Sequence, residues 1–163
     1  MSMSDIDIEK GIPPVRVEAT NVAGGLASHL AIVVRGKNGK ETGYRGGPSR
    51  NGSLSSSAQQ NPTTGATDYG FGAIVTTSGE YAPGFIDYKT DASKVAVDLN
   101  GQSVDTVTKC FEDTMKAIDA RKIAYYPTGP NSNSVVGTML SRCGCQKVKP
   151  VWIAPGFDTD LLG

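Results

Sequence analysis

The rhythm of apolar and polar residues changes several times along this chain, and each rhythm predicts an element. Residues 1–12 are polar, carry no period, and are expected to form a flexible tail. Val15-Arg16-Val17-Glu18-Ala19 alternates and reads as a first strand. Ser28 to Val34 is apolar on both faces and rich in β-branched residues, as a central strand covered on two sides would be. Gly36-Lys37-Asn38-Gly39 predicts a hairpin, because Asn-Gly supplies the positive φ angles of a tight turn. The returning strand is expected over Lys40 to Arg45, ended by Gly46-Gly47-Pro48. Residues 48–66 then lose nearly all apolar content, which predicts a long mobile loop or a functional flap. Strands resume over Tyr69 to Thr77, Phe85 to Tyr88 and Lys94 to Leu99.

The period then lengthens from two to about 3.6. Ser103 is placed to cap a helix, Asp105 suits its positive start, and Val104, Val107, Phe111, Met115 and Ile118 form one apolar stripe. A second helix presents Val136, Met139, Leu140 and Cys143, with Gly144 closing it. Val151 to Phe157 reads as a short strand or an extended packed segment. Together these elements predict one α+β domain over residues 13–163. It has a twisted, mainly antiparallel sheet of five or six strands and two principal helices, Ser103 to Arg121 and Asn133 to Arg142.

Composition narrows the function. The chain of 163 residues has room for one core, and its 20 glycines and 9 prolines favour a strand-rich or α+β domain over a helical bundle. Sixteen basic and sixteen acidic residues give zero formal charge, which argues against a nucleic-acid partner. No run approaches the length of a membrane span, and the start MSMSDIDIEK lacks the basic and apolar regions of a classical export signal. Three cysteines, an odd number, do not imply a disulfide framework, so a reducing compartment is the simpler expectation. Cys143-Gly144-Cys145 is too tightly spaced for a zinc site, and neither metal nor cofactor is expected. Gly43 to Pro48 lacks the context of a phosphate-binding loop.

His29 is the only histidine, so histidine-based acid–base chemistry must pass through it. About a hundred residues later, Asn131-Ser132-Asn133 opens the second helix, where free N–H groups and the helix dipole favour developing negative charge. A nucleophile there, facing an imidazole on a neighbouring strand, is the working geometry of cysteine hydrolases. The plainer alternative makes Asn131 to Ser134 helix caps and His29 a satisfied core residue.

The order of these motifs resembles the circularly permuted branch of the NlpC/P60 papain-like superfamily, which includes lecithin:retinol acyltransferase-like proteins and many bacterial hydrolases and toxins. Ser28-His29-Leu30-Ala31-Ile32-Val33 resembles its histidine strand, and Tyr125 through Asn131-Ser132-Asn133-Ser134-Val135-Val136 resembles its nucleophile helix. The departure is Ser132, which stands where the family carries cysteine. The resemblance implies His29 as general base, Ser132 as nucleophile, and Glu41 or Tyr44 as the group orienting the imidazole. The helix-start amides near Asn133 and Ser134 would stabilise an oxyanion, with Asn131, Asn133 and Ser134 as binding residues. Apart from the resemblance, Arg45 and Arg50 border the long loop, where they would recognise an acidic substrate or partner or else form a solvated rim, and Tyr126 beside the site is a binding candidate or a packing residue. The expected activity is that of an amidase or acyl hydrolase on a peptide or lipid-like substrate. The expected setting is the bacterial cytoplasm before secretion of an effector without a signal peptide. The rival expectation is a non-catalytic module that keeps the fold and works through a protein partner.

Overall fold

In the computed structural model, residues 13–22, 27–52, 59–60, 67–68 and 70–163 are described. Among the described residues, seven strands and two helices follow in chain order. The strands are β1 (Val15–Val22), β2 (Ala27–Arg35), β3 (Glu41–Pro48), β4 (Gln59–Gln60), β5 (Thr67–Asp68), β6 (Ile74–Glu80) and β7 (Ser93–Ala96). The helices are α1 (Val104–Arg121) and α2 (Ser132–Arg142). Five strands form one sheet in the order β6-β3-β2-β1-β7, and every pairing in it is antiparallel. The mainly antiparallel α+β architecture is therefore the one present, with β2 at the centre.

The hairpin after β2 forms, but only Gly39 of the Asn-Gly pair takes a positive φ, at 80°, and its N–H donates to the Gly36 carbonyl. Alternation then sorts the side chains between two faces. Val15, Val17, Leu30, Ile32, Val34 and Tyr44 join Phe111, Ile118, Met139 and Leu140 in the core beneath the helices. On the outer face, Arg16, Glu18, Ala31 and Val33 are also buried, so β2 is covered on both sides. Residues following β6 supply that second cover. Phe85 lies directly on Gly43, where a Cβ would stand 2.6 Å from the Phe85 ring. Tyr81 packs its ring against Phe85 and Tyr88, and its hydroxyl donates to Glu18, whose other oxygen is held by Arg16.

Several expectations are corrected. Phe85 to Tyr88 is a turn rather than a strand, because the aromatic residues pack onto the sheet face instead of joining its ladder. β3 runs through Gly46 and Gly47 to Pro48, pairing with β6, whose start is Ile74. Val151 to Phe157 forms bends and turns, with its backbone bonded to side chains of α2 rather than to a strand. Within residues 48–66, Gln59–Gln60 pairs with Thr67–Asp68, while residues 53–58 and 61–66 and the 1–12 tail lie outside the described residues. Cys110 and Cys143 form a disulfide between α1 and α2, leaving Cys145 as the free thiol. The odd count thus conceals one cross-link, which removes the argument for a reducing compartment.

Candidate catalytic site

The site is built where the β2–β3 ladder ends. Its last pair is Ile32–Tyr44, so β2 continues past the ladder toward Ala27. Arg35 donates its N–H toward β1, to the Pro14 carbonyl, and backbone groups alternate sides along a strand. The Leu30 N–H and Ser28 carbonyl therefore face the β3 side. Asn133 takes both: its Oδ1 accepts from Leu30 N at 2.9 Å and its Nδ2 donates to Ser28 O at 2.8 Å. The two bonded residues flank His29. One buried side chain thus fixes the start of α2 against the histidine.

Glycine permits the same approach from β3. A Cβ on Gly46 would stand 2.3 Å from Val135 Cγ2 and 3.4 Å from Ser132 Cα. The helix start is completed by Asn131, whose Oδ1 accepts from the N–H groups of Asn133 and Ser134, while Ser134 Oγ accepts from Asn131 N. Asn131 Nδ2 also donates to the carbonyls of Pro127 and Pro155.

This framework places Ser132 Oγ 3.0 Å from His29 Nδ1. The other ring nitrogen, Nε2, lies 2.9 Å from Asp87 Oδ2. Burial pushes the Asp87 carboxyl up, but the hydrogen bond from His29 and the charge and hydrogen bond of Arg45 help to outweigh it and hold the group below the ordinary carboxylate value. Asp87 is therefore an acceptor, which places an imidazole hydrogen on Nε2; in the neutral ring Nδ1 then offers its lone pair to the serine hydroxyl. Tyr125 places its hydroxyl 3.4 Å from Ser132 Oγ, and its ring stacks obliquely on Phe71. A serine hydroxyl, an imidazole and a carboxylate thus stand in hydrogen-bonded series, an arrangement that acyl transfer can use.

No family model, curated protein or solved structure matches this chain.

The structure brings His29 and Ser132 together but sends other expected residues elsewhere. Glu41 pairs with Arg16 on the outer face, and Tyr44 is buried against Phe111. Neither is bonded to the imidazole, and Asp87 occupies that position instead. The Asn133 and Ser134 amides are already taken by Asn131, so they are not open to an oxyanion. Ser134 Oγ donates to the Gly156 carbonyl, and Asn131 and Asn133 act as cap and clamp. Tyr126 enters through its backbone, which closes the turn to Gly129 and Pro130. Arg45 is bonded to Asp87 at 2.6 Å. Among the described residues, no group of three or more His, Cys, Asp or Glu side chains could hold a metal ion.

Asp87 was invisible to motif reasoning because it lies 58 positions from His29, inside a segment that read as a strand. The available signal was a lone acidic residue in an otherwise apolar and aromatic run, Phe85-Ile86-Asp87-Tyr88.

Proposed function

We propose that this protein is a serine-nucleophile acyl hydrolase or amidase with a papain-like catalytic arrangement. The observation that carries this reading is His29, which bridges Ser132 Oγ and Asp87 Oδ2 at 3.0 and 2.9 Å. His29 Nδ1 takes the hydroxyl proton as Ser132 Oγ attacks the substrate carbonyl, and Asp87 stabilises the imidazolium that forms. The imidazolium then protonates the leaving amine or alcohol, and water repeats the cycle on the acyl-serine. Ser132 is the first residue of α2, so its N–H has no intrahelical acceptor and faces the end of the helix where negative charge is favoured. That N–H and the Tyr125 hydroxyl are the candidate oxyanion donors, in place of the Asn133 and Ser134 amides.

The order of motifs supports a permuted NlpC/P60-like relationship, with serine at the nucleophile position. The interhelical disulfide supports a working life in an oxidising environment, in keeping with a secreted effector. A second reading, a partner-binding module, draws support from Trp152 and Ile153, which are 96% and 59% exposed.

The deciding experiment is reaction with a fluorophosphonate probe followed by peptide mass mapping. The adduct is expected on Ser132, and it is expected to vanish in Ser132→Ala and His29→Ala proteins of unchanged circular dichroism. A wild-type protein that is folded and stays unmodified refutes the hydrolase.

A further inference from the structure

One oxygen of Asp87 serves two donors. Oδ2 lies 2.9 Å from His29 Nε2 and 2.6 Å from Arg45 Nε. Arg45 follows Tyr44 on β3 and so projects from the opposite, outer face. Its guanidinium folds back along the strand over Gly47, where a Cβ would stand 3.1 Å from Nη1. The three side chains are only 14%, 10% and 15% exposed, so their charges are weakly screened.

We infer that Arg45 is a positioning residue that keeps His29 in its neutral, base-competent form by sharing the Asp87 oxygen. This rests on the acyl-transfer reading for its purpose, but its measurement does not depend on it. A carboxylate alone beside an imidazole favours the imidazolium, whose protonated Nδ1 can no longer accept from Ser132. Arginine supplies a permanent opposing charge and engages the same lone pairs. Asp87 then orients the ring without holding it charged.

The other ionisable groups nearby do not supply that balance. On β1, Arg16 is matched by Glu18 and by Glu41 of β3, and Glu18 also accepts from Tyr81. The segment carrying Asp87 also holds Tyr88 and Lys89, the first turn of α2 has no acidic residue, and Tyr125 reaches the site through Ser132. Arg45 is the cation hydrogen-bonded to Asp87 among the described residues.

The chain contains one histidine, so a single imidazole resonance reports its titration by NMR without assignment. In Arg45→Met the midpoint is expected to rise by about one pH unit over wild type, a tenfold change in equilibrium. Arg45→Lys, which keeps the charge, is expected to stay close to wild type, and adding Asp87→Asn to Arg45→Met is expected to cancel the rise. Should the methionine variant be unfolded by circular dichroism, Arg45→Gln, which keeps a donor and loses the charge, carries the same expected rise. A midpoint that is unchanged or lower in the folded neutral variant overturns the inference.

Fluorophosphonate reaction supplies the second readout. The acid limb of its pH profile moves up in the neutral variant. A purely anchoring role lowers the rate at every pH and leaves the midpoint in place, which also overturns the inference. An inert wild-type protein with a shifted midpoint overturns the hydrolase alone. A reactive one with an unshifted midpoint overturns the role of Arg45 alone.

Discussion

Ser132 and Asn133 are adjacent in sequence yet do different work. Ser132 presents a hydroxyl to His29, while Asn133 ties the residues on either side of that histidine to the helix. Replacing Asn133 with Ala leaves the buried Leu30 N–H and Ser28 carbonyl without their side-chain partner. It is expected to cost about 2–4 kcal/mol, read by urea unfolding. The same variant is expected to lose probe reaction at Ser132 even when folded, since the two reacting groups are no longer held together. Ser132→Cys tests the site from the other side. A thiol paired with the imidazole should be alkylated by iodoacetamide at neutral pH. Cys145, whose thiol burial pushes up to about 11, should not react in the folded protein. Equal reactivity of the two cysteines would contradict the placement of His29. Asp87→Asn is expected to lower the rate of probe reaction by about 10²–10⁴-fold, because the amide no longer stabilises the imidazolium.

At the scale of elements, the segment after β6 unites the cover of the outer sheet face with the carboxylate that faces His29. Tyr81, Phe85 and Tyr88 hold it to the sheet, and Asp87 projects from the same turn to His29. Tyr81 is bound to Glu18, and burial, then the hydrogen bond to Glu18, pushes its hydroxyl well above the ordinary phenol range. Tyr81→Phe leaves a buried carboxylate oxygen short of a donor. It is expected to cost about 1–3 kcal/mol and to slow probe reaction through looser placement of Asp87. A loss of stability with no change in rate would separate the cover from the placement of Asp87. The Asp87 carboxyl also makes the fold acid-sensitive. Its pKa is lower folded than unfolded, so its stabilisation is full above the ordinary value of 3.8 and is lost as pH falls through the folded value. Thermal unfolding of wild type is therefore expected to weaken more steeply below about pH 4 than that of Asp87→Asn. Parallel curves would refute this assignment.

For the whole molecule, the disulfide joins the middle of α1 to the end of α2, whose other end carries Ser132. It closes a loop across a sequence separation of 33 residues, which corresponds to about 3–4 kcal/mol of stability from the restricted unfolded chain. Reduction is expected to lower the Tm accordingly. Thiol titration with Ellman's reagent should find essentially none in the native protein, one in denaturant and three after reduction. Three thiols in denaturant alone would exclude the cross-link.

The elements were legible where local periodicity decided them. Ser103 and Asp105 announced α1, Asn38-Gly39 announced the hairpin, and the two-sided apolar run of β2 announced a covered central strand. His29 and the Asn131 helix start were also readable, because rarity and capping chemistry are properties of the chain. Asp87, the Asn133 clamp and the Cys110–Cys143 bond were not. Each depends on which distant groups the packing brings within about 3 Å, and a hydrogen bond across 58 or 103 positions leaves no local period. The sequence by itself determined the strand and helix pattern and the one imidazole available for chemistry. Only the tertiary structure chose its carboxylate partner, because side-chain hydrogen bonds require a geometry that folding alone creates.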